Sequence, residues 1–164
     1  MRGEGLKRIE KIKSDHFYLK CLSLNSLRVI SETVGLERFA GDERLSGPGQ
    51  AEEVICAAGL LHDIGRWRQY DNGEDHALAG AGMAGEVLER AGFSGHEIKV
   101  ITRAIREHRR EAPGSSRLGR VLCLADDLSR PCKTCGARMD CYKFDQLENL
   151  KEKVDKLRLM ESGI

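Results

Sequence analysis

The sequence predicts an all-α bundle of six or seven helices forming a single domain over residues 1–164. Two observations predict it. Apolar residues recur at three- and four-residue spacing in one segment after another, the period of a helix face, and no segment alternates convincingly as a half-buried strand would. The chain also has only three Pro and 5% aromatics, a poor composition for a β-sandwich. With 164 residues, 40% hydrophobic and 32% charged, it is large enough to bury a core and too apolar to be disordered.

The elements follow in order. Residues 6–12 place Leu6, Ile9 and Ile12 on one side of a short helix. Ser14-Asp15 caps a long helix over 16–39, in which Leu22, Asn25, Val29 and Glu32 share a face. The polar, Gly-rich stretch 41–49 is a loop. Pro48-Gly49 opens a helix with Val54, Ile55, Ala58 and Leu61 as its buried stripe; it runs into His62-Asp63 before Ile64-Gly65 breaks the pattern. Residues 66–75 read as a polar connection with a turn at Asp71-Asn72-Gly73. A helix over 75–91 aligns His76, Gly80, Met83 and Val87 and stops at Gly92. The next, over 94–107, aligns Ile98, Ile101, Ile105 and His108. After Ala112-Pro113-Gly114, Ser115 or Ser116 caps a helix over 117–130 that puts Leu118, Leu122 and Asp126 on one face; Pro131 stops it. Residues 143–160 repeat Leu147, Leu150, Val154 and Leu157 amid Lys and Glu, an amphipathic helix with a solvated outer face, or alternatively a homodimer contact. The domain thus divides into a core over about 14–130, a Cys-containing segment 131–142 and a C-terminal helix 143–160.

The 27 Lys and Arg nearly balance the 26 Asp and Glu, so charge gives no signal for a nucleic-acid partner or a membrane surface. The first fifteen residues are charged and lack the apolar centre of a signal peptide, and no stretch reaches the roughly 18 apolar residues of a membrane span. The expected location is the cytoplasm. There the six cysteines are free thiols or metal ligands rather than disulfides.

The informative residues are ionisable ones on apolar stripes. His76, His108 and Asp126 each fall on the face of their helix that is predicted to meet the core. Burying imidazoles and carboxylates is costly unless they are paired or hold a metal. One such histidine is more often a satisfied core residue. Several from successive helices, joined by the adjacent His62-Asp63 pair, share one explanation in a bound cation.

The stretches GLLHDIGRW (59–67), HALAGAGMAGEVLERAGF (76–93), IKVITRAIREHR (98–109) and VLCLADDLSR (121–130) resemble the HD-domain metal-dependent phosphohydrolases. The order and spacing of His-Asp, His, His and Asp make the match specific. The resemblance implies an all-α bundle, one or two divalent transition-metal ions (Fe, Mn, Zn, Ni or Co), and hydrolysis of a phosphate ester or anhydride, usually in a nucleotide. Carried over, His62, Asp63 and Asp126 hold a first metal, with Asp63 able to bridge. His76 and His108 hold a second, as in dinuclear members such as HD-GYP phosphodiesterases and di-iron diadenosine tetraphosphatases. Asp126 is preferred to Asp127 because it fills the family's Ala-Asp position on the Leu118/Leu122 face.

One position departs from the family. Its members supply a further His from the first long helix in a His-Ser-Leu-Arg-Val context, and this chain reads Asn25-Ser-Leu-Arg-Val. Asn25, as a carbonyl ligand or through a water, ranks first as the replacement. Cys21, one turn earlier on the same side, ranks second. His16, nine residues away at about 100° each, lies on roughly the opposite helix face. Asn25 also motivates an alternative function, a degenerate HD domain that binds a nucleotide or metal without turnover.

Cys132-Lys-Thr-Cys135, followed by Cys141, has the spacing of a second metal site, for zinc or an iron–sulfur cluster; reduced surface cysteines are the plainer reading. A similar Cys-x2-Cys-x5-Cys tail occurs in a subset of HD proteins. It motivates a third alternative, a metal- or redox-responsive interaction module. Arg66, Arg109 and Arg110 stand beside the site histidines, where they can receive phosphate oxygens or serve as solvated helix-end charges. In the catalytic reading Asp63 positions the water and Arg66 and Arg109 offset developing charge. Trp67 and Tyr70 can stack on a base, but core or rim packing is the default for both.

Overall fold

A computed structural model describes residues 5–14, 50–109, 112–130, 136, 138–141 and 144–161. Among them are seven α-helices, one short 3-10 turn (Arg138–Asp140) and no strand, so the fold is all-α. The helices are α1 (Gly5–Ser14), α2 (Gln50–Leu61), α3 (Arg66–Asn72), α4 (His76–Ala91), α5 (Gly95–Glu107), α6 (Arg117–Ser129) and α7 (Phe144–Glu161). The predicted helix over 16–39 and the loop over 41–49 lie outside the described residues, as do Pro131 and residues 132–135.

The central element is α2. Val54, Ile55, Ala57, Ala58, Leu60 and Leu61 are all buried, so this helix is apolar around most of its circumference, the signature of an interior position. It packs against α1, α5 and α6. Helix α4 buries Ala77, Ala79, Gly80, Ala81 and Ala84, small residues that let its neighbours α3, α5 and α1 come close. Helix α5 is strongly amphipathic, with Ile101, Ala104 and Ile105 inside. Ser94 and Glu97 close a capping box at its start: Ser94 Oγ accepts from Glu97 N (3.3 Å) and Glu97 Oε2 accepts from Ser94 N (2.7 Å). Ser116 caps α6 by accepting from Gly119 N, which decides between the two predicted serines. Leu118, Val121, Leu122 and Ala125 turn that helix inward. Helix α7 packs on α6 with Leu147 and Val154 buried, and Lys151 donates to the Arg130 carbonyl (2.8 Å).

Helix α1 is held by charge as well as by Ile9 and Ile12. Arg8 reaches Glu53 of α2 and forms a two-pronged pair with Glu97 of α5 (both contacts 3.0 Å), while its guanidinium lies 4.1 Å from the Phe93 ring centroid. A guanidinium suits this position because its planar fork serves two carboxylates and an aromatic face at once.

The expectation of a polar connection over 66–75 is corrected: residues 66–72 form α3. Its sequence hides the helix because no residue of α3 is fully buried, so there is no apolar stripe to read. Gly73, left-handed at φ 76°, closes it with its N–H on the Gln69 carbonyl. The helix before it ends at Leu61, two residues earlier than expected, which places His62 and Asp63 in the turn after α2 rather than on the helix.

The position of that turn depends on Gly65. A Cβ at Gly65 would lie 2.5 Å from both Gly80 N and the His76 carbonyl oxygen, and 2.9 Å from Gly80 Cα. The turn carrying His62-Asp63 therefore rests directly on the backbone of α4, with no room for a side chain between them.

Candidate metal centre

His62, Asp63, His76, His108 and Asp126 are all buried, between 0 and 7% exposed. They come from the turn after α2, the first residue of α4, the residue after α5, and α6. The helices bring together all five sequence candidates that fall on described residues in the core. Asp63, His76 and His108 form the tightest group, with one ligand atom from each within 4.8 Å of the others.

The distances divide the cluster around Asp63. On one side, Asp63 Oδ1 lies 3.5 Å from His76 Nε2 and 3.9 Å from His108 Nε2, and those two nitrogens are 3.3 Å apart. On the other side, His62 Nε2 lies 3.5 Å from Asp63 Oδ2 and 3.8 Å from Asp126 Oδ1. Two nitrogens on one zinc-like ion at about 2.05 Å, in tetrahedral geometry, sit about 3.4 Å apart. The His76–His108 spacing is of that size.

Hydrogen bonding aims the rings. His62 Nδ1 lies 2.8 Å from the Gly59 carbonyl oxygen and His108 Nδ1 2.6 Å from that of Ile105, so each donates there and leaves its Nε2 lone pair facing inward. His76 Nδ1 lies 2.5 Å from Gln69 Oε1, with the same consequence. Three lone pairs and two carboxylates thus converge. Among the described residues, His62 Nε2 and Asp63 Oδ1 have no hydrogen-bond partner. The 3.5 Å approach of His62 Nε2 to Asp63 is a contact between two electron-rich atoms, and it needs a proton or a cation between them. This donor set of neutral imidazoles and carboxylates fits a divalent transition metal.

The electrostatics follow from the same contacts. Burial opposes ionisation of Asp63, but His62 and Arg66 hold its carboxyl well below the usual carboxylate range. Burial likewise opposes charging His62, yet the carboxylates of Asp63 and Asp126 raise its pKa. His76 is pushed down to about 4 by burial, Arg66 and His108, and His108 is lowered by burial and by His62. The His76 and His108 side therefore presents neutral imidazoles at neutral pH, the ligand form of histidine.

Of the flanking cations, Arg66 is at the site. Its Nη2 is 2.9 Å from Asp63 Oδ1 and 3.1 Å from Oδ2, with hydrogen-bond direction only toward Oδ2, and its Nη1 is 3.5 Å from His76 Nδ1. Arg109 is turned to Asp75, the N-cap of α4 (Nη1–Oδ2 2.5 Å). Arg110, Asn25, Cys21 and His16 lie outside the described residues. So do Cys132 and Cys135, while Cys141 is exposed beside the 3-10 turn. Asp126 is buried and Asp127 only half-buried. Trp67 and Tyr70 are 45% and 82% exposed, so neither is core.

Two further residues touch the cluster unforeseen. Gln69 meets His76, and Arg130 donates to Asp126 Oδ2 at 2.7 Å. Arg130 was findable as the residue four positions after Asp126 on the same helix face. Gln69 was findable only once 66–72 is known to be helical, since it then shares the Arg66 face.

The HD-domain family model matches residues 25–130, about two thirds of the chain. The chain belongs to the HD-domain family, a superfamily of metal-dependent phosphohydrolases whose domains bind divalent metals. It is 30% identical over 148 residues to an uncharacterized protein of Clostridium beijerinckii, a match covering 89% of this chain and 88% of that one. It is 33% identical over 90 residues to a bifunctional uridylyltransferase/uridylyl-removing enzyme of Cereibacter sphaeroides, covering 51% of this chain and 9% of the enzyme. A ribonuclease Y of Oleidesulfovibrio alaskensis is 34% identical over 116 residues, 71% of this chain and 20% of that one. The chain thus spans a small part of both named enzymes. No solved structure matches it significantly. No helix among the described residues is long and apolar enough to cross a membrane.

Proposed function

We propose that this chain is a metal-dependent hydrolase of a small phosphate ester or anhydride, with a nucleotide as the preferred substrate class. The observation that carries the reading is Asp63, whose two oxygens face two separate sets of inward-pointing imidazole lone pairs. His62, Asp63 and Asp126 would hold one divalent ion, and Asp63, His76 and His108 a second, with Asp63 shared. A metal bound there supplies Lewis acidity and lowers the pKa of a coordinated water.

The chain's own groups perform the rest. Asp63 orients the attacking water and Arg66, pinned beside it, receives a phosphoryl oxygen as negative charge develops. Arg109 joins only by releasing Asp75. Arg130 donates to Asp126 Oδ2 and so aims that carboxylate. Water adds to phosphorus and gives up a proton to solvent, the bond to the leaving oxygen breaks, and the leaving group takes a proton from solvent in turn.

The test is the full chain loaded in turn with Mn²⁺, Co²⁺, Zn²⁺ and Fe²⁺ and assayed on nucleoside mono-, di- and triphosphates, cyclic dinucleotides and simple phosphate esters. Turnover with some metal, abolished by Asp63→Asn, is expected. Metal-loaded protein that binds nucleotide without turnover, and gains turnover on Asn25→His, would instead support the degenerate-domain reading that Asn25 motivates.

A further inference from the structure

We infer that Gln69 is a positioning residue that fixes the tautomer of His76 and so makes it a ligand, an assignment that rests on the metal-centre reading above. The last carbonyls of an α-helix and the first N–H groups have no intrahelical partner. His62 and His108 each follow a helix C-terminus, and each finds an acceptor three residues back on its own chain, Gly59 and Ile105. Their orientation is built into the backbone. His76 is different because it is the first residue of α4. A helix N-terminus offers spare donors and no spare carbonyl, so the Nδ1–H of His76 must find its acceptor on another segment.

Gln69 supplies it. Its Oε1 lies 2.5 Å from His76 Nδ1, and His76 is buried, so water does not substitute freely. Without an acceptor there, the imidazole has a second arrangement. It can carry its proton on Nε2 and donate it to His108 Nε2, 3.3 Å away, whose own Nδ1–H is committed to Ile105. That tautomer closes the site, because the proton occupies the direction in which a metal would be held. Gln69 favours the open tautomer. It stands one helical turn from Arg66, which grips Asp63, so the inner face of α3 orients one imidazole and one carboxylate of the centre together.

The experiment uses the full chain, freed of metal with a chelator and titrated with Mn²⁺, as wild type and as Gln69→Leu, Gln69→Glu and His76→Ala. Nitrogen-15 NMR of the metal-free protein reads the His76 tautomer directly. The expected results are an Nδ1–H tautomer in the wild type and Mn²⁺ affinity about 10–100-fold weaker in Gln69→Leu. In that variant His76 shifts toward Nε2–H. Gln69→Glu keeps an acceptor and keeps at least wild-type affinity. Because no residue of α3 is fully buried, the two Gln69 substitutions leave the core intact, and thermal melting checks it. Wild-type affinity in Gln69→Leu with weakened binding in His76→Ala overturns the role of Gln69 while sparing the metal centre. An Nε2–H tautomer in the wild type, or equal losses in the Leu and Glu variants, overturns it too. Unchanged Mn²⁺ binding in His76→Ala overturns the reading of the site itself.

Discussion

Gly65→Ala is the substitution that tests most directly whether the turn carrying His62-Asp63 must lie against α4. Gly65 has φ −87° and ψ 0°, a conformation open to alanine, so the backbone itself is not strained by the change. The whole effect comes from contact. The new Cβ would meet Gly80 N and the His76 carbonyl oxygen at 2.5 Å, about 1 Å inside ordinary van der Waals distance, and both are backbone atoms of a packed helix that cannot swing aside. Relief requires the turn and α4 to separate by about that much. Overpacking of this kind costs about 1–3 kcal/mol, and rigid neighbours put this site at the upper end. For a chain of this size that corresponds to a Tm lowered by about 6–12 °C. The same movement draws Asp63 away from His76, so Mn²⁺ affinity should fall by more than the stability loss alone explains. Calorimetry and a metal titration read the two effects, and Gly73→Ala serves as the comparison. There the backbone is left-handed at φ 76° with open space around it, so strain appears without loss of metal affinity. A Gly65→Ala protein with wild-type Tm and wild-type metal affinity would refute the argument.

Three further outcomes are expected. Asp126→Asn should weaken metal binding by at least an order of magnitude while Asp127→Asn leaves it nearly unchanged, since only Asp126 faces His62; parallel Mn²⁺ titrations decide it. Removing metal with a chelator should lower Tm, because an ion present at a hundred times its Kd adds about 2.7 kcal/mol of stability; an unchanged melt would count against a centre that binds the native state. Glu97 has its pKa pushed down to about 2, burial being outweighed by Arg8 and the Ser94 cap. Its contribution is full above its ordinary value of 4.5 and is lost as pH falls toward 2, so acid should release α1. Tm followed against pH should fall less steeply over that window in Glu97→Gln, and an identical slope would remove Glu97 from the account.

The sequence was legible where burial writes a period into it. Ile9 and Ile12, the aliphatic residues of α2, Ile101 and Ile105, and Leu118 and Leu122 all repeat at helix spacing, and each is buried. The cluster was legible for a related reason. His76, His108 and Asp126 interrupt apolar faces, and polar residues in such places stand out. Helix α3 was not legible, because a helix lying over the site buries no full face and leaves no stripe. Gln69 and Arg130 were missed for the complementary reason. A polar side chain that orients a ligand sits among many polar side chains, and only distance distinguishes it. The close approach of Gly65 to Gly80 is likewise a relation between two segments, invisible in either alone.

Charge balance within the cluster bears on what it can bind. Among the described residues, two buried carboxylates (Asp63 and Asp126) face two guanidiniums (Arg66 and Arg130), each pair in direct contact, Arg130 also meets the half-buried Asp127 at 3.5 Å, and His76 and His108 are neutral near pH 7. His62 between two carboxylates is the one ring placed to carry a proton, and a metal at that position would displace it. The protein groups thus nearly cancel. Each divalent ion added leaves the buried site with about two uncompensated positive charges, and an excess charge in a low-dielectric site is costly. A phosphate mono- or diester carries the opposite charge and has oxygens for both the ion and Arg66. A neutral ester lacks that charge. The same balance makes Arg66 more than a substrate clamp: Arg66→Ala would leave Asp63 unneutralised, strengthening its hold on a cation while weakening the site's hold on phosphate. Opposite changes in metal affinity and KM are therefore the expected signature of this residue, and parallel losses in both would show that it serves only to keep Asp63 in place.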